Sequence, residues 1–257
     1  MGGPDRVSVG SLVRRRAALL ARLDETAAEK PTLAADLAAS RSTVDRAIRE
    51  LEAREYVRRG PDGYETTLAG RLARQAYEDG LAALDAVLAG ADLLADLPAD
   101  APLSIAFLRG ADVHRPARPA PREPLDRLRE LIDDADRYCG FTTAVLVPDF
   151  VDDVLARVAA GALELEFVYD EPMADYIREE YDEYREALRS EANQMYVADG
   201  VPYGLGILYG EQTLAYVIAE GPDGGFRGLL VNDDAAAVAW AEAVFESYRS
   251  RAEAVDA

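Results

Sequence analysis

Arginine and hydroxyl side chains are concentrated in Ser40-Arg41-Ser42-Thr43-Val44-Asp45-Arg46, with Arg49 one helical turn on. An arginine fork can bond guanine O6 and N7 in a pair, or neutralise phosphate. Short hydroxyls beside it reach phosphate oxygens. That chemistry needs Arg41, Ser42, Thr43, Arg46 and Arg49 on one exposed helix face. The spacing supplies such a helix. Val44, Ala47, Ile48 and Leu51 fall at i, i+3, i+4 and i+7, which predicts an apolar face for a helix over 42–54. Thr43, Arg46 and Arg49 project from its other side. Ser42 with Asp45 fits the Ser-x-x-acid capping pattern.

Other chemistries have little to work with. The chain holds one cysteine, Cys139, and one histidine, His114. That excludes an internal disulfide, a paired-cysteine zinc site and a Cys/His finger. A hydrolytic triad would have to use His114, which lies in a proline-rich stretch and reads as a loop residue. No EF-hand spacing, P-loop or dinucleotide glycine motif occurs. Catalytic residues, metal sites and cofactors are therefore expected to be none. Cys139 reads as a buried structural thiol, and Asp233-Asp234 as a helix cap rather than a metal pair.

The elements around the arginines complete a pattern. Leu12, Leu19, Leu20 and Leu23 predict a first helix over about 9–24. Pro31-Thr32 opens a short second helix with Leu33 and Leu37 inward. A turn leads to the 42–54 helix, as in a helix-turn-helix. Tyr56–Arg59 and Tyr64–Thr66 then read as two strands around the turn Gly60-Pro61-Asp62-Gly63. A hairpin at this place is a wing, and it sets Arg58 and Arg59 toward phosphates.

Residues 67–95 read as a helix with an interrupted stripe of Leu68, Leu72, Leu81, Leu84, Leu88 and Leu94. The domain expectation is a head over 1–75, a linker or dimerisation helix over 76–100, and a body over 101–257. In the body, Leu103–Leu108 reads as a strand and 115–124 as an extended connector. Strand–helix alternation follows: strands at 138–142 and 163–169, helices at 124–134, 149–160 and 172–190. That predicts a parallel sheet. Segments 194–198, 203–209, 213–219 and 226–231 read as an antiparallel meander, and 237–248 as a final helix. The fold class is thus mixed α/β (α+β): a winged head, a linker helix and an α/β body. Ligands of parallel sheets sit beyond the carboxyl ends of strands. That rule selects Thr142, Thr143, Tyr169 and Asp170 as a candidate small-molecule site.

Charge divides the chain the same way. It has 28 Lys/Arg against 48 Asp/Glu, a net charge of −20, and Lys30 is its one lysine. Residues 1–75 hold 14 basic and 11 acidic side chains, and the remainder 14 and 37. A slightly positive head on a strongly acidic body suits a phosphate-facing N-terminus. So acidic and lysine-poor a surface reads as the halophile type, with an ordinary acidic mesophile protein as the alternative. No apolar run approaches a membrane span and no signal-peptide pattern opens the chain, so the expectation is cytoplasmic.

Residues 32–71, TLAADLAASRSTVDRAIRELEAREYVRRGPDGYETTLAGR, resemble winged-helix regulators of the MarR and ArsR type. The body resembles the methanogenesis-regulator (FilR-type) sensor domain, found fused to winged helices in halophilic archaea. That resemblance rests on FLRGADVHRPARPAPREPLDRL (107–128), PYGLGILYGEQTLAYVIAE (202–220) and GFRGLLVNDDAAAVAWAEAVFESYR (225–249). The sheet half is more distantly similar to the TrmB-type sugar-sensing body, itself related to phospholipase D. The His-x-Lys element of that enzyme family is absent, since Lys30 lies in the head and His114 in the body. The resemblance implies a transcriptional regulator that binds double-stranded DNA. Its expected partners are a second copy of itself, through the leucine stripe and the helix around Trp240, and a small-molecule effector that is neutral or weakly charged. Two other readings of the body stay open: a pure dimerisation module, and a catalytic domain fused to a DNA-binding head.

Overall fold

The computed structural model describes residues 6–144, 148–180, 193–221 and 224–254. The chain divides into two compact units, Met1–Leu84 and Asp85–Ala257.

In the first unit α1 (Arg6–Glu25), α2 (Lys30–Asp36) and α3 (Arg41–Glu52) precede the hairpin of β1 (Val57–Gly60) and β2 (Gly63–Thr66). The long helix α4 (Leu68–Ala89) follows. This is a winged helix-turn-helix. Val44, Ala47, Ile48 and Leu51 are buried together with Leu20, Leu33 and Val57, as the apolar spacing predicts. Arginines tie the helices at the rim: Arg16 to Glu50 of α3, Arg22 to Asp36 of α2, and Arg74 of α4 to Asp24.

The cap of α3 differs from expectation by two residues. Ser40, not Ser42, accepts the Thr43 N–H at 3.1 Å, and the helix begins at Arg41. With Ser40 as the cap, Asp45 lies beyond the capping-box position; it pairs instead with Lys30, whose Nζ is 2.5 Å from Oδ1. The wing has an extra anchor. Ala28 and Tyr64 exchange both backbone hydrogen bonds, at 3.0 and 2.9 Å, and fasten β2 to the chain before α2. Gly63 allows this approach. Its φ is +121°, and a Cβ there would lie 2.5 Å from the Ala28 carbonyl carbon.

The expected leucine stripe is two patches. At about 100° per residue, Leu68 and Leu72 lie on one side of α4, and Leu81, Leu84 and Leu88 on nearly the opposite side. All five are exposed, Leu88 to 75%. Leu94 lies in a separate short helix, α5 (Ala91–Asp96), and packs on the body.

The second unit is a mixed α/β layer structure. Its strands are β3 (Asp112–His114), β4 (Ala135–Thr142), β5 (Glu164–Tyr169), β6 (Gln194–Val197), β7 (Gly204–Gly210), β8 (Leu214–Glu220), β9 (Phe226–Asn232) and β10 (Glu253–Ala254). Among the described residues they form one sheet in the order β10-β6-β5-β4-β7-β8-β9-β3. Strands β4, β5 and β6 run parallel to one another, and the other pairings are antiparallel. Both faces of the sheet are covered. Helices α7 (Glu123–Asp133), α8 (Pro148–Ala159) and α9 (Glu171–Glu180) contribute to the apolar cluster on one face. Helices α5, α6 (Ile105–Leu108) and α10 (Ala235–Arg249) contribute to the cluster on the other. That is why β8, Leu-Ala-Tyr-Val-Ile-Ala-Glu, reads as a continuous apolar run and not as an alternation.

Three expectations for the body are corrected. Leu103–Leu108 is not a strand: Ser104 accepts the Ala106 N–H at 3.1 Å and caps the single turn of α6. The segment at 194–198 is not part of the meander, since β6 pairs parallel to β5 on the far side of the sheet. His114 is not in a loop but ends the edge strand β3, opposite Leu229. The predicted helix over 172–190 corresponds to α9 as far as Glu180, and its remainder lies outside the described residues. Asp234 caps α10 by accepting the Ala236 N–H at 2.8 Å, as expected.

Candidate functional site

On the head, α3 presents Arg41, Ser42, Thr43, Arg46 and Arg49 on its exposed side. Their environments differ. Among the described residues Arg41 and Arg46 make no ion pair, so their guanidinium groups are available to an incoming anion. Arg49 Nε reaches the Asp45 carbonyl at 3.4 Å. The Ser42 and Thr43 hydroxyls lie 2.9 and 2.8 Å from that of Ser40 and form a small hydroxyl cluster at the helix N-terminus. The wing arginines are already partnered: Arg58 Nε with Glu65 at 2.7 Å, and Arg59 with Glu29 at 2.9 Å and over the Tyr64 ring. Below them, Lys30 and Asp45 reinforce each other's charge. The ammonium holds the Asp45 carboxyl below its usual range, and that carboxylate raises Lys30. Sequence reasoning found the exposed face but not these carboxylate partners, because Glu29 and Glu65 lie 30 and 7 residues from the arginines they hold.

The four body residues expected to form a small-molecule site separate in space. Thr142 and Tyr169 line a cavity of about 100 Å³ between the sheet and helices α7, α8 and α9. Thr143 does not line it; its hydroxyl lies 3.4 Å from Glu220 Oε2, whose carboxyl burial shifts up. Asp170 does not line it either. Its Oδ1 accepts the Met173 N–H at 3.0 Å, so this carboxylate starts α9. The cavity lies over the helix-covered face of β4 and β5, from Tyr138 and Leu165 to Thr142 and Tyr169 at their carboxyl ends.

Its lining is apolar: Leu128, Phe150, Val154, Phe167, Met173, Ile177 and Ile218 among others, with no charged side chain among the described residues. Two phenols, Tyr138 of β4 and Tyr216 of β8, hydrogen-bond to each other within it. Tyr216 reaches across because residue 206 of the intervening strand is glycine; a Cβ there would fall 2.3 Å from its ring. These residues carry no motif. Their one signal in the sequence is the alternation of Tyr138, Thr142 and their neighbours on β4, which shows a face but not a gap.

On the opposite face of the sheet a polar network ties β5 to α10. Glu166 bonds Arg137 at 2.8 Å and lies 3.5 Å from Arg249, while Tyr209 bonds Glu242 at 2.9 Å. Cys139 is buried beside it, and burial pushes its thiol up to about 12 from 9.0. At pH 8 its thiolate fraction is then about a thousandfold below that of an exposed cysteine, so iodoacetamide is expected to label native protein far more slowly than protein in denaturant. Equal rates would show that the thiol is accessible. Because the folded thiol holds its proton where the unfolded one has lost it, stability falls as pH rises from about 9 toward 12. Trp240, expected at an interface between copies, packs against Phe107 of α6 at 4.9 Å between ring centroids. Among the described residues no group of three or more His, Cys, Asp or Glu is placed to hold a metal ion, and no helix is long and apolar enough to cross a membrane.

Comparison with known proteins adds the following. Residues 121–251 match the family "Methanogenesis regulatory protein FilR1, middle domain", and residues 4–89 match "HVO_A0261 N-terminal domain". Among curated proteins, none matches the chain. Among solved structures, the archaeal chromatin protein TrmBL2 is similar at 12% identity and a TM-score of 0.45, covering 98% of this chain and 100% of that one. NucT from Helicobacter pylori has 12% identity and a TM-score of 0.41, over 56% of this chain and 98% of its own. Nuc from Salmonella typhimurium, a phospholipase D family member, has 8% identity and a TM-score of 0.41, over 58% and 99%. The FilR1 match spans just over half of the 257 residues, and it covers the part of the body that contains both the cavity and the polar network. The chain belongs to the family of the methanogenesis regulatory protein FilR1, as a regulatory protein with a winged-helix head.

Proposed function

We propose that this protein is a transcription regulator that binds double-stranded DNA in a sequence-specific way as a homodimer, and that its body adjusts that binding in response to a small effector. The observation that carries the reading is the exposed pair Arg41 and Arg46 on a helix whose other side is fully buried in the head. The N-terminal part of such a helix enters the major groove, and unpartnered arginines there are suited to base edges. Arg49, Ser42 and Thr43 supply phosphate contacts beside them. Arg58 and Arg59 of the wing approach the backbone, but each must exchange a carboxylate of its own chain for a phosphate. The wing therefore contributes less than its charge suggests.

Two copies are expected because one winged helix covers few base pairs, and two-fold proteins read two half-sites about one DNA turn apart. Leu81 and Leu84 fit such a contact. With Val9, Val13 and Tyr77 they line an apolar hollow on the head. Selection of bound fragments from a random-sequence duplex pool, run at low, moderate and molar salt, tests the reading. The expected product is a repeated half-site at one-turn spacing. A pool that stays random overturns specific binding, and a single unrepeated element overturns the dimer.

A further inference from the structure

We propose that the cavity between the sheet and helices α7, α8 and α9 is the effector site, and that its ligand is a small apolar molecule, a monocyclic aromatic or a branched aliphatic of about benzene size. This rests on the reading of the body as a sensor and names the chemistry of what it senses. The first argument is size. The space is about 100 Å³ and partly open to solvent, so it has room for more than one water molecule and a way in for a guest. An engineered cavity of roughly 150 Å³ with a similar aliphatic and aromatic lining stays dry and takes benzene or xenon.

The second argument is chemistry. Tyr138, Val154, Phe167, Tyr216 and Ile218 offer ring faces and methyl groups. The hydroxyl of Tyr216 is bonded to that of Tyr138, and Thr142 Oγ1 is 3.0 Å from the Ala144 carbonyl. A sugar, an amino acid or a carboxylate would have to shed its water for a few hydroxyl groups in an otherwise apolar lining with no charged side chain, which is unfavourable. The third argument is place: the cavity reaches the carboxyl ends of β4 and β5, the side from which a guest would enter, and its helical wall includes Met173, a side chain that adapts to an irregular guest.

The test uses the full chain at high salt with benzene, toluene and cyclohexane as probes, and a hexose and benzoate as polar controls. At ten times its dissociation constant an apolar probe is expected to raise the melting temperature by about 3–6 °C, and the polar controls to leave it unchanged. Val154→Phe, which places a ring in the space, is expected to abolish the shift while keeping the circular dichroism of the native protein. The ¹²⁹Xe chemical shift of xenon-equilibrated wild-type protein reads occupancy without any substitution. No saturable shift with any apolar probe and no bound xenon would overturn the assignment, as would a Val154→Phe protein that responds like wild type, or a hexose that binds as toluene does. A further measurement separates this proposal from the reading beneath it. Operator affinity with and without saturating toluene should differ by about 5- to 150-fold. Toluene that binds but leaves operator affinity unchanged overturns the sensor reading, whereas absence of binding overturns only the cavity assignment and leaves the DNA-binding reading intact.

Discussion

Replacing Arg41 and Arg46 together by alanine is expected to weaken binding to the selected operator by about 2–6 kcal/mol, the sum of two arginine contacts to base edges worth about 1–3 kcal/mol each. Roughly 1.4 kcal/mol corresponds to tenfold, so the loss lies between about 30-fold and 10⁴-fold. Neither side chain holds the head together, because neither has an ion pair and the buried side of α3 is made by Val44, Ala47, Ile48 and Leu51. The melting temperature should therefore be unchanged. The wing behaves differently. Arg58→Ala and Arg59→Ala should each weaken all sequences about equally and reduce the salt slope. Their effect should be smaller, because each arginine must first leave Glu65 or Glu29. Titration of the operator and of an unrelated duplex at several salt concentrations separates the two classes. A double variant on α3 that binds the operator as well as wild type would remove this helix from the contact surface.

The head was legible in the sequence because its signals are local. Four apolar residues at helical spacing, a turn rich in glycine and proline, and a run of arginines fall within one stretch of chain, and each keeps its meaning in the fold. What escaped there was the partner of each charge. Ser40 could not be preferred to Ser42 as the cap by pattern alone, and the attraction of Asp45 to Lys30 depends on how α2 packs beside α3. The body was less legible because its strands are buried on both faces. The apolar run around Leu103–Leu108 suits a strand or a buried helical turn equally well, and the choice is made by Ser104 and by the packing of Phe107 on Trp240. Strand order is similarly non-local: nothing in Gln194–Val197 shows that it pairs with β5 rather than with β7. The four candidate site residues part company for the same reason. Thr142 and Tyr169 line the cavity under α7, α8 and α9. The roles of Thr143 and Asp170 were set by neighbours distant in sequence or by the start of α9.

Gly206→Val is expected to lower the melting temperature of the body by about 5–20 °C. Gly206 lies on β7 opposite Tyr216 of β8, and the tyrosine ring occupies the space where a side chain would stand. A Cβ at residue 206 would be 2.3 Å from the ring, with two methyl groups beyond it, so the ring must swing away. Overpacking of this kind costs about 1–3 kcal/mol. The displaced hydroxyl also loses its hydrogen bond with Tyr138, and the loss of a buried hydrogen bond costs about 1–3 kcal/mol more. In a unit of this size each kcal/mol lowers the melting temperature by about 2–4 °C, which gives the range stated. Tyr216 lines the cavity, so a displaced ring reshapes it and the variant should also lose its response to toluene. Gly206→Ala, with a single methyl group, should show the same effects in weaker form, and Tyr216→Phe should lose the hydrogen bond without the overpacking. Near-ultraviolet circular dichroism and thermal melts on the three variants check the order Gly206→Val, then Gly206→Ala, then Tyr216→Phe in severity. If Gly206→Val melts with wild type, the ring does not lie over β7 and the cavity wall is formed in another way.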